Sequence, residues 1–153
     1  VEGNFDRQAY DGLIYSTQRY IPVSAPHYPF AQPVSKLEDL LPERLLVREP
    51  GSGTRNVLER VLESRNLTVE SFRRKTELGS LNLIKNLVRA GAGISFFYQP
   101  VVQKELESGE LREITLQDCS IHHDFTFLWR KGSAFSQEYR EIFSLLRQPD
   151  TAL

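Results

Sequence analysis

Two short turns carry the residue types best suited to chemistry. The first is Glu49-Pro50-Gly51-Ser52-Gly53-Thr54-Arg55. It follows the apolar triplet Leu45-Leu46-Val47 and precedes Val57, Leu58, Val61 and Leu62, spaced as one face of a helix. A strand that passes through such a turn into a helix presents several backbone N–H groups at the helix N-terminus, where the peptide dipoles also gather partial positive charge. Gly51 and Gly53 allow close approach and positive φ, while Ser52 and Thr54 add hydroxyl donors. The assembly suits a carboxylate, a sulfate or a phosphate. It is not a nucleotide P-loop, which needs a Lys-Ser/Thr ending, and its glycine spacing is not that of a dinucleotide site. Plain capping of the helix by Ser52 or Thr54 is the competing reading, and on this turn alone it is the stronger one.

The second turn, Glu77-Leu78-Gly79-Ser80, again stands where a polar strand meets a helix. Ser80 can cap that helix, and Gly79 would let a ligand approach the backbone; capping is again the stronger reading. Two helix N-termini in successive β-α units carry more weight, because parallel topology brings both to one sheet edge. Ligands in such folds bind outside the carboxyl ends of the strands.

Other chemistries find little support. His122 and His123 are adjacent on an expected strand and point to opposite faces, and His27 has no partner near it in sequence, so no metal site is expected. Cys119, beside Asp118 and Ser120, reads as an exposed spare thiol, because no base or oxyanion donor set accompanies it. Phe125, Phe127 and Trp129 alternate with other residues as in a strand with one core face. Only Arg130-Lys131 follow them, too little for a nucleic-acid surface.

The elements that must position the two turns follow from periodicity. Leu13-Ile14-Tyr15 and Tyr20-Ile21-Pro22-Val23 read as short strands, preceded by a turn at Gly3, Asn4 and Asp6. Pro22, Pro26, Pro29 and Pro33 disfavour helix and any central strand, and mark a connector. Ser35 is expected to cap a short helix from Lys36 to Leu41. Helices are expected over 54–65, over 80–90 with a Gly91-Ala92-Gly93 stop, from Pro100 to Glu107, and from a Ser133 cap through Leu146. Strands are expected at 45–47, 70–77, 94–98, 111–115 and 121–129. Strands alternating with helices imply an α/β fold with a largely parallel sheet.

The composition agrees with one soluble globular domain: 153 residues, 40% hydrophobic and 25% charged. The net charge of −1 lacks the basic excess of a nucleic-acid-binding domain. No apolar run approaches the ~18 residues of a membrane span, and no basic-then-apolar segment opens the chain. One cysteine cannot form an internal disulfide, which favours a reducing, cytoplasmic setting. The chain has no methionine and is expected to be a piece of something longer.

From Tyr20 to Leu146 the chain resembles the effector-binding domain of LysR-type transcriptional regulators. Four passages carry the likeness: Tyr20-Ile21-Pro22-Val23-Ser24-Ala25-Pro26 with Tyr28-Pro29-Phe30-Ala31, Leu37-Glu38-Asp39-Leu40, Arg48 to Arg55, and Leu87-Val88-Arg89-Ala90-Gly91-Ala92-Gly93-Ile94. Tyr28 and Phe30 stand where the family usually has His and Leu.

The resemblance implies a periplasmic-binding-protein-like α/β fold: two subdomains with mainly parallel sheets, joined by crossing strands. Residues 20–124 would form the second subdomain, with the helix N-terminus ligand site. Residues 1–19 and 125–153 would form a first subdomain whose opening strands and helices are missing. It further implies a sensor without catalysis, with no cofactor and no metal, binding a small-molecule effector in a cleft between the subdomains. Carried over by position, Ser24, Ser52, Gly53, Thr54, Gly79 and Ser80 would contact it. Glu77 departs from the pattern, since a carboxylate there would repel an anion and favour a zwitterion or a neutral group. DNA would be bound only through a helix-turn-helix domain absent from this chain, with no membrane partner. Intact family members pair side by side, so a homodimer or higher homo-oligomer is expected, using the helices 80–90 and 135–147. Phe135, Ile142 and Phe143 are expected to be under-covered. The alternative from another class is a solute-binding transport protein of the same fold, against which the absence of an export signal counts.

Overall fold

The computed structural model describes Val1 and residues 5–147, which cluster into two compact units, one of Arg19–His122 and the other of the described residues before and after it. Helices and strands alternate along the chain, in an α/β arrangement. Among the described residues, no helix is long and apolar enough to cross a membrane.

Within Arg19–His122, β2 (Arg44–Arg48) and β3 (Arg74–Leu78) pair in parallel over five registered positions, from Arg44↔Arg74 to Arg48↔Leu78. A parallel bridge, Leu45↔Ile94, adds the start of β4 (Ser95–Tyr98) to β2. Helices α1 (Gly53–Glu63) and α2 (Leu81–Arg89) follow β2 and β3, giving the β-α units expected from the periodicity. Leu45, Leu46 and Val47 are all buried, as is every residue of β4, which marks strands covered on both faces. The core gathers Ile21, Val23, Leu46, Ile84, Val88, Phe97, Val102 and Leu111. Helix α3 (Gln99–Ser108) carries Pro100 in its first turn and ends at Gly109, whose φ of 78° is left-handed.

The first strand departs from expectation. Instead of two short pieces, β1 runs unbroken from Tyr10 to Ser24. Its last residues lie between β4 and β5 (Arg112–Glu113), antiparallel to both. Pro22 therefore sits in a central strand, where proline was not expected. The antiparallel alternation explains the tolerance: the Pro22 carbonyl accepts from the Ile114 N–H at 2.9 Å, so its nitrogen also faces the β5 side, and the β4 ladder loses nothing. The reciprocal bond to Ile114 cannot form, and β5 shortens to two residues instead of the expected 111–115.

Two local expectations also change. Ser35 does not cap the segment after it. Its N–H and hydroxyl, with the Lys36 N–H, donate to the Asp39 carboxylate at 2.9, 3.2 and 3.0 Å, and the segment is one 3-10 turn, Leu37–Leu40. Segment 70–77 divides into a 3-10 turn, Val69–Ser71, and β3.

In the other unit, the early part of β1 pairs with β6 (Ile121–Arg130), and Thr17 Oγ1 donates to Asp124 at 2.6 Å. Helix α4 (Ser136–Leu146) packs Phe143 against Phe127 and Tyr139 against Trp129, at ring-centroid distances of 5.8 and 6.2 Å. Ser133 caps the turn ahead of α4, accepting from the Phe135 N–H at 3.2 Å. Phe143 is buried, contrary to the expectation that it would be under-covered, whereas Phe135 and Ile142 are 55% and 46% exposed. The turn expected at the start falls partly outside the described residues, since it included Gly3 and Asn4; Asp6 accepts from the N–H groups of Gln8, Ala9 and Tyr10.

Candidate functional site

Because β2 and β3 are parallel and end side by side at Arg48 and Leu78, the two turns singled out by the sequence leave the same sheet edge. One opens α1 and the other opens α2.

At the first turn Gly51 adopts a φ of +89°, while Gly53 is simply the first residue of α1 and needs no positive φ. Ser52 holds the N-cap position with extended backbone, but its hydroxyl makes no capping bond. It pairs instead with the Thr54 hydroxyl, Oγ to Oγ1, at 2.9 Å. The capping reading of Ser52 and Thr54 therefore fails here. The N–H groups of Gly53, Thr54 and Arg55 bond to no described residue and remain open to an acceptor from outside the helix.

The second turn behaves differently. Ser80 caps α2, accepting from the Leu83 N–H at 3.3 Å. Gly79 meets nothing within 4 Å where a Cβ would stand. Ser24 lies at the end of β1, 1% exposed, and its hydroxyl donates to the Ala25 carbonyl at 3.0 Å. A cavity of about 10 Å³ is walled by Thr54, Arg55, Tyr20, Leu81, Ser95 and Phe96, among others. It has room for about one water molecule. Of the six residues named from the sequence, only Thr54 lines it; Ser24, Ser52, Gly53, Gly79 and Ser80 do not.

Two residues that sequence reasoning passed over complete the arrangement. The buried Tyr20 hydroxyl donates to the Thr54 carbonyl at 2.9 Å, tying β1 to the first turn of α1. Arg55, 6% exposed, sends Nε to Glu59 at 2.7 Å, and Nη1 to both the Arg48 carbonyl and Glu77 at 3.0 Å. One guanidinium thus joins the end of β2, the body of α1 and the end of β3. Burial works against its charge, but the hydrogen bonds it donates to Glu59 and Glu77 outweigh that and raise its pKa. The Arg55/Glu59 spacing of four on a helix was a legible sign of half of this. The contact with Glu77 depends on strand register, which the sequence does not display.

Glu77, expected to repel an anion, is held on both sides: Lys75 Nζ lies 2.7 Å from it, and Arg55 is its other partner. Those two hydrogen bonds, Lys75 first, keep its carboxyl below the usual range. Glu49 is likewise paired, with Arg48 Nε and Nη2 at 2.8 and 2.9 Å, and its carboxyl is held down to about 2. Cys119 differs from expectation in being half-buried, and burial pushes its thiol up.

Paired β-α units ending at one sheet edge, with an uncapped helix N-terminus there, define an α/β ligand-binding domain of the periplasmic-binding-protein type. The chain belongs to the LysR substrate binding domain family, whose model matches residues 5–149. Among curated relatives, the transcriptional regulator CbbR of Xanthobacter flavus is 42% identical over 83 residues, covering 54% of this chain and 24% of the relative. A probable RuBisCO transcriptional regulator of Cyanophora paradoxa is 29% identical over 131 residues, covering 85% and 40%. The chain thus spans less than half the length of these relatives. Among solved structures, the CcmR regulatory domain of Synechocystis in complex with 2-PG has a TM-score of 0.79 at 21% identity, covering 96% of this chain and 70% of that one. The MetR regulatory domain of N. meningitidis gives 0.76 at 16%, covering 96% and 66%. At those identities the likeness establishes the fold.

Proposed function

We propose that this chain is the ligand-sensing part of a LysR-type transcriptional regulator, and that it binds a small anionic or carboxylate-bearing effector at the N-terminus of α1. The observation that carries this reading is the uncapped first turn. Ser52 and Thr54 pair their hydroxyls with each other and cap nothing, so the O–H of whichever one accepts in that pair and three backbone N–H groups are left for an external acceptor. The neighbour solved with 2-PG supports a small ligand for this fold. Ser24, Gly79 and Ser80 are the further contacts in this reading.

Sensing needs no catalysis. An effector that binds two arrangements of the regulator unequally shifts their populations, and such coupling is typically ~1–3 kcal/mol. In this reading the regulator is cytoplasmic, works as a homodimer or higher homo-oligomer, and meets DNA through a helix-turn-helix domain outside this chain. The exposed Leu83 on α2 and Phe135, Ile142 and Leu145 at α4 support association.

The test is a thermal-shift screen of the chain against sulfate, phosphate, amino acids and small carboxylates. A ligand at a hundred times its Kd adds ~2.7 kcal/mol of stability. The expected result is a hit among the anions that Ser52→Ala and Thr54→Val abolish. A hit that both variants retain would move the site elsewhere.

A further inference from the structure

We infer that Arg55 is the positioning residue that lets the α1 N-terminus accept an anion beside Glu77; this rests on the reading above. A carboxylate at the end of β3 stands on the sheet edge where the ligand would bind, and unbalanced it would oppose the partial positive charge of the helix end. Arg55 meets that problem from the buried side. As the third residue of α1 it sets a guanidinium, shared with Glu59, at the first turn, and its Nη1 contact at 3.0 Å draws the Glu77 carboxylate onto itself. Lys75, 2.7 Å from the same carboxylate and shared with Glu70, adds a second positive partner.

The same guanidinium has a geometric role. Through the Arg48 carbonyl and Glu77 it holds the ends of β2 and β3 to a common point, so the two turns keep one spacing. Its Nε and Nη1 are engaged inside the protein, on Glu59, Glu77 and the Arg48 carbonyl, and the role inferred here runs through those contacts. It acts through the backbone it fixes and the charge it cancels. The chemical class admitted is therefore an anion with no required cationic group.

A charge cycle read on affinity separates this role from a merely structural one. Sulfate and phosphate are titrated against the chain, Arg55→Gln, Glu77→Gln and the double variant at low and high salt. Arg55→Gln is expected to weaken anion binding about tenfold, Glu77→Gln to change it less than about twofold, and the double variant to recover most of the loss. The effect should shrink as salt screens the exposed carboxylate. Lys75→Gln, which leaves buried Arg55 in place, should show a smaller loss that Glu77→Gln again repairs, and it serves where Arg55→Gln fails to fold. Loss in an Arg55→Gln or Lys75→Gln variant that Glu77→Gln does not repair would overturn the inference while leaving the site intact. Absence of anion binding in the unmodified chain, with Ser52→Ala behaving identically, would overturn the proposed site and this inference together.

Discussion

The carboxylates around the α1 N-terminus are all spoken for. Glu49 is forked by Arg48, Glu77 is shared by Lys75 and Arg55, and Glu59 is bonded by Arg55. These pairs make a prediction about acid. A carboxyl whose pKa is lower in the folded than in the unfolded chain contributes stability that is complete above its ordinary value and is lost as pH falls through the folded one. For Glu49 that window runs from its ordinary 4.5 down to about 2, set first by the Arg48 hydrogen bonds. Glu77 shifts in the same direction through Lys75 and Arg55, and Asp118 does so through Arg65. Urea denaturation followed from pH 6 to pH 2.5 should therefore show a midpoint that falls steadily below about pH 4.5. Glu49→Gln should flatten that fall, and an unchanged slope would mean that the Arg48 pairing does not survive in solution. Little of this was visible beforehand. The sequence displays the hydroxyls and glycines of the turn, but which hydroxyl caps and which carboxylate meets which cation depend on angles fixed only when the strands register.

At the scale of elements the sequence was most legible where apolar spacing is strong. The helices carrying Val57, Leu58 and Leu62, and Ile84 and Val88, bury those very residues, so their spacing announces them. The long β1 was hidden because its first half is exposed or half-buried on both faces, and Ser16-Thr17-Gln18-Arg19 shows no alternation to follow. Gly93 offers a test of how tightly the elements are set. A Cβ added there would meet the Arg44 carbonyl oxygen at 2.5 Å, and that same oxygen accepts the Ile94 N–H at 2.9 Å. Gly93→Ala must therefore push apart the junction that adds β4 to β2, at a cost of about 1–3 kcal/mol. Thermal unfolding should register a fall of roughly 2–4 °C for each kcal/mol in a chain of this size. Gly79→Ala is the matched control: it meets nothing within 4 Å and needs no positive φ, so its melting temperature should stay level or rise slightly. Equal losses in both variants would mean that glycine flexibility, and not close backbone approach, is what Gly93 supplies.

Taken as a whole molecule, the chain distributes its apolar surface unevenly. Arg19–His122 holds the main core, whereas the other unit leaves Ile14 and Tyr15 on β1 and Ile142, Leu145 and Leu146 on α4 about half exposed or more. That unit also carries an open apolar cavity of about 410 Å³, lined by Val1, Tyr15, Phe125, Thr126, Phe127, Leu128 and Leu146. Lone surface leucines need no explanation, but this many together favour burial, because contact removes apolar area from water at about 25 cal/mol per Å². The family resemblance named α4 as a contact surface, and the burial of Phe143 beneath it narrows the candidates to its outward residues. Sedimentation velocity should show mass rising with concentration, and Ile142→Glu with Leu145→Glu should return the chain to a monomer. Both substitutions lie in a different unit from Ser52 and Thr54, so anion binding at α1 should be unchanged in them. A monomer at every concentration would remove the oligomer from the reading of function, and would leave the α1 site to be judged on its own hydroxyls and N–H groups.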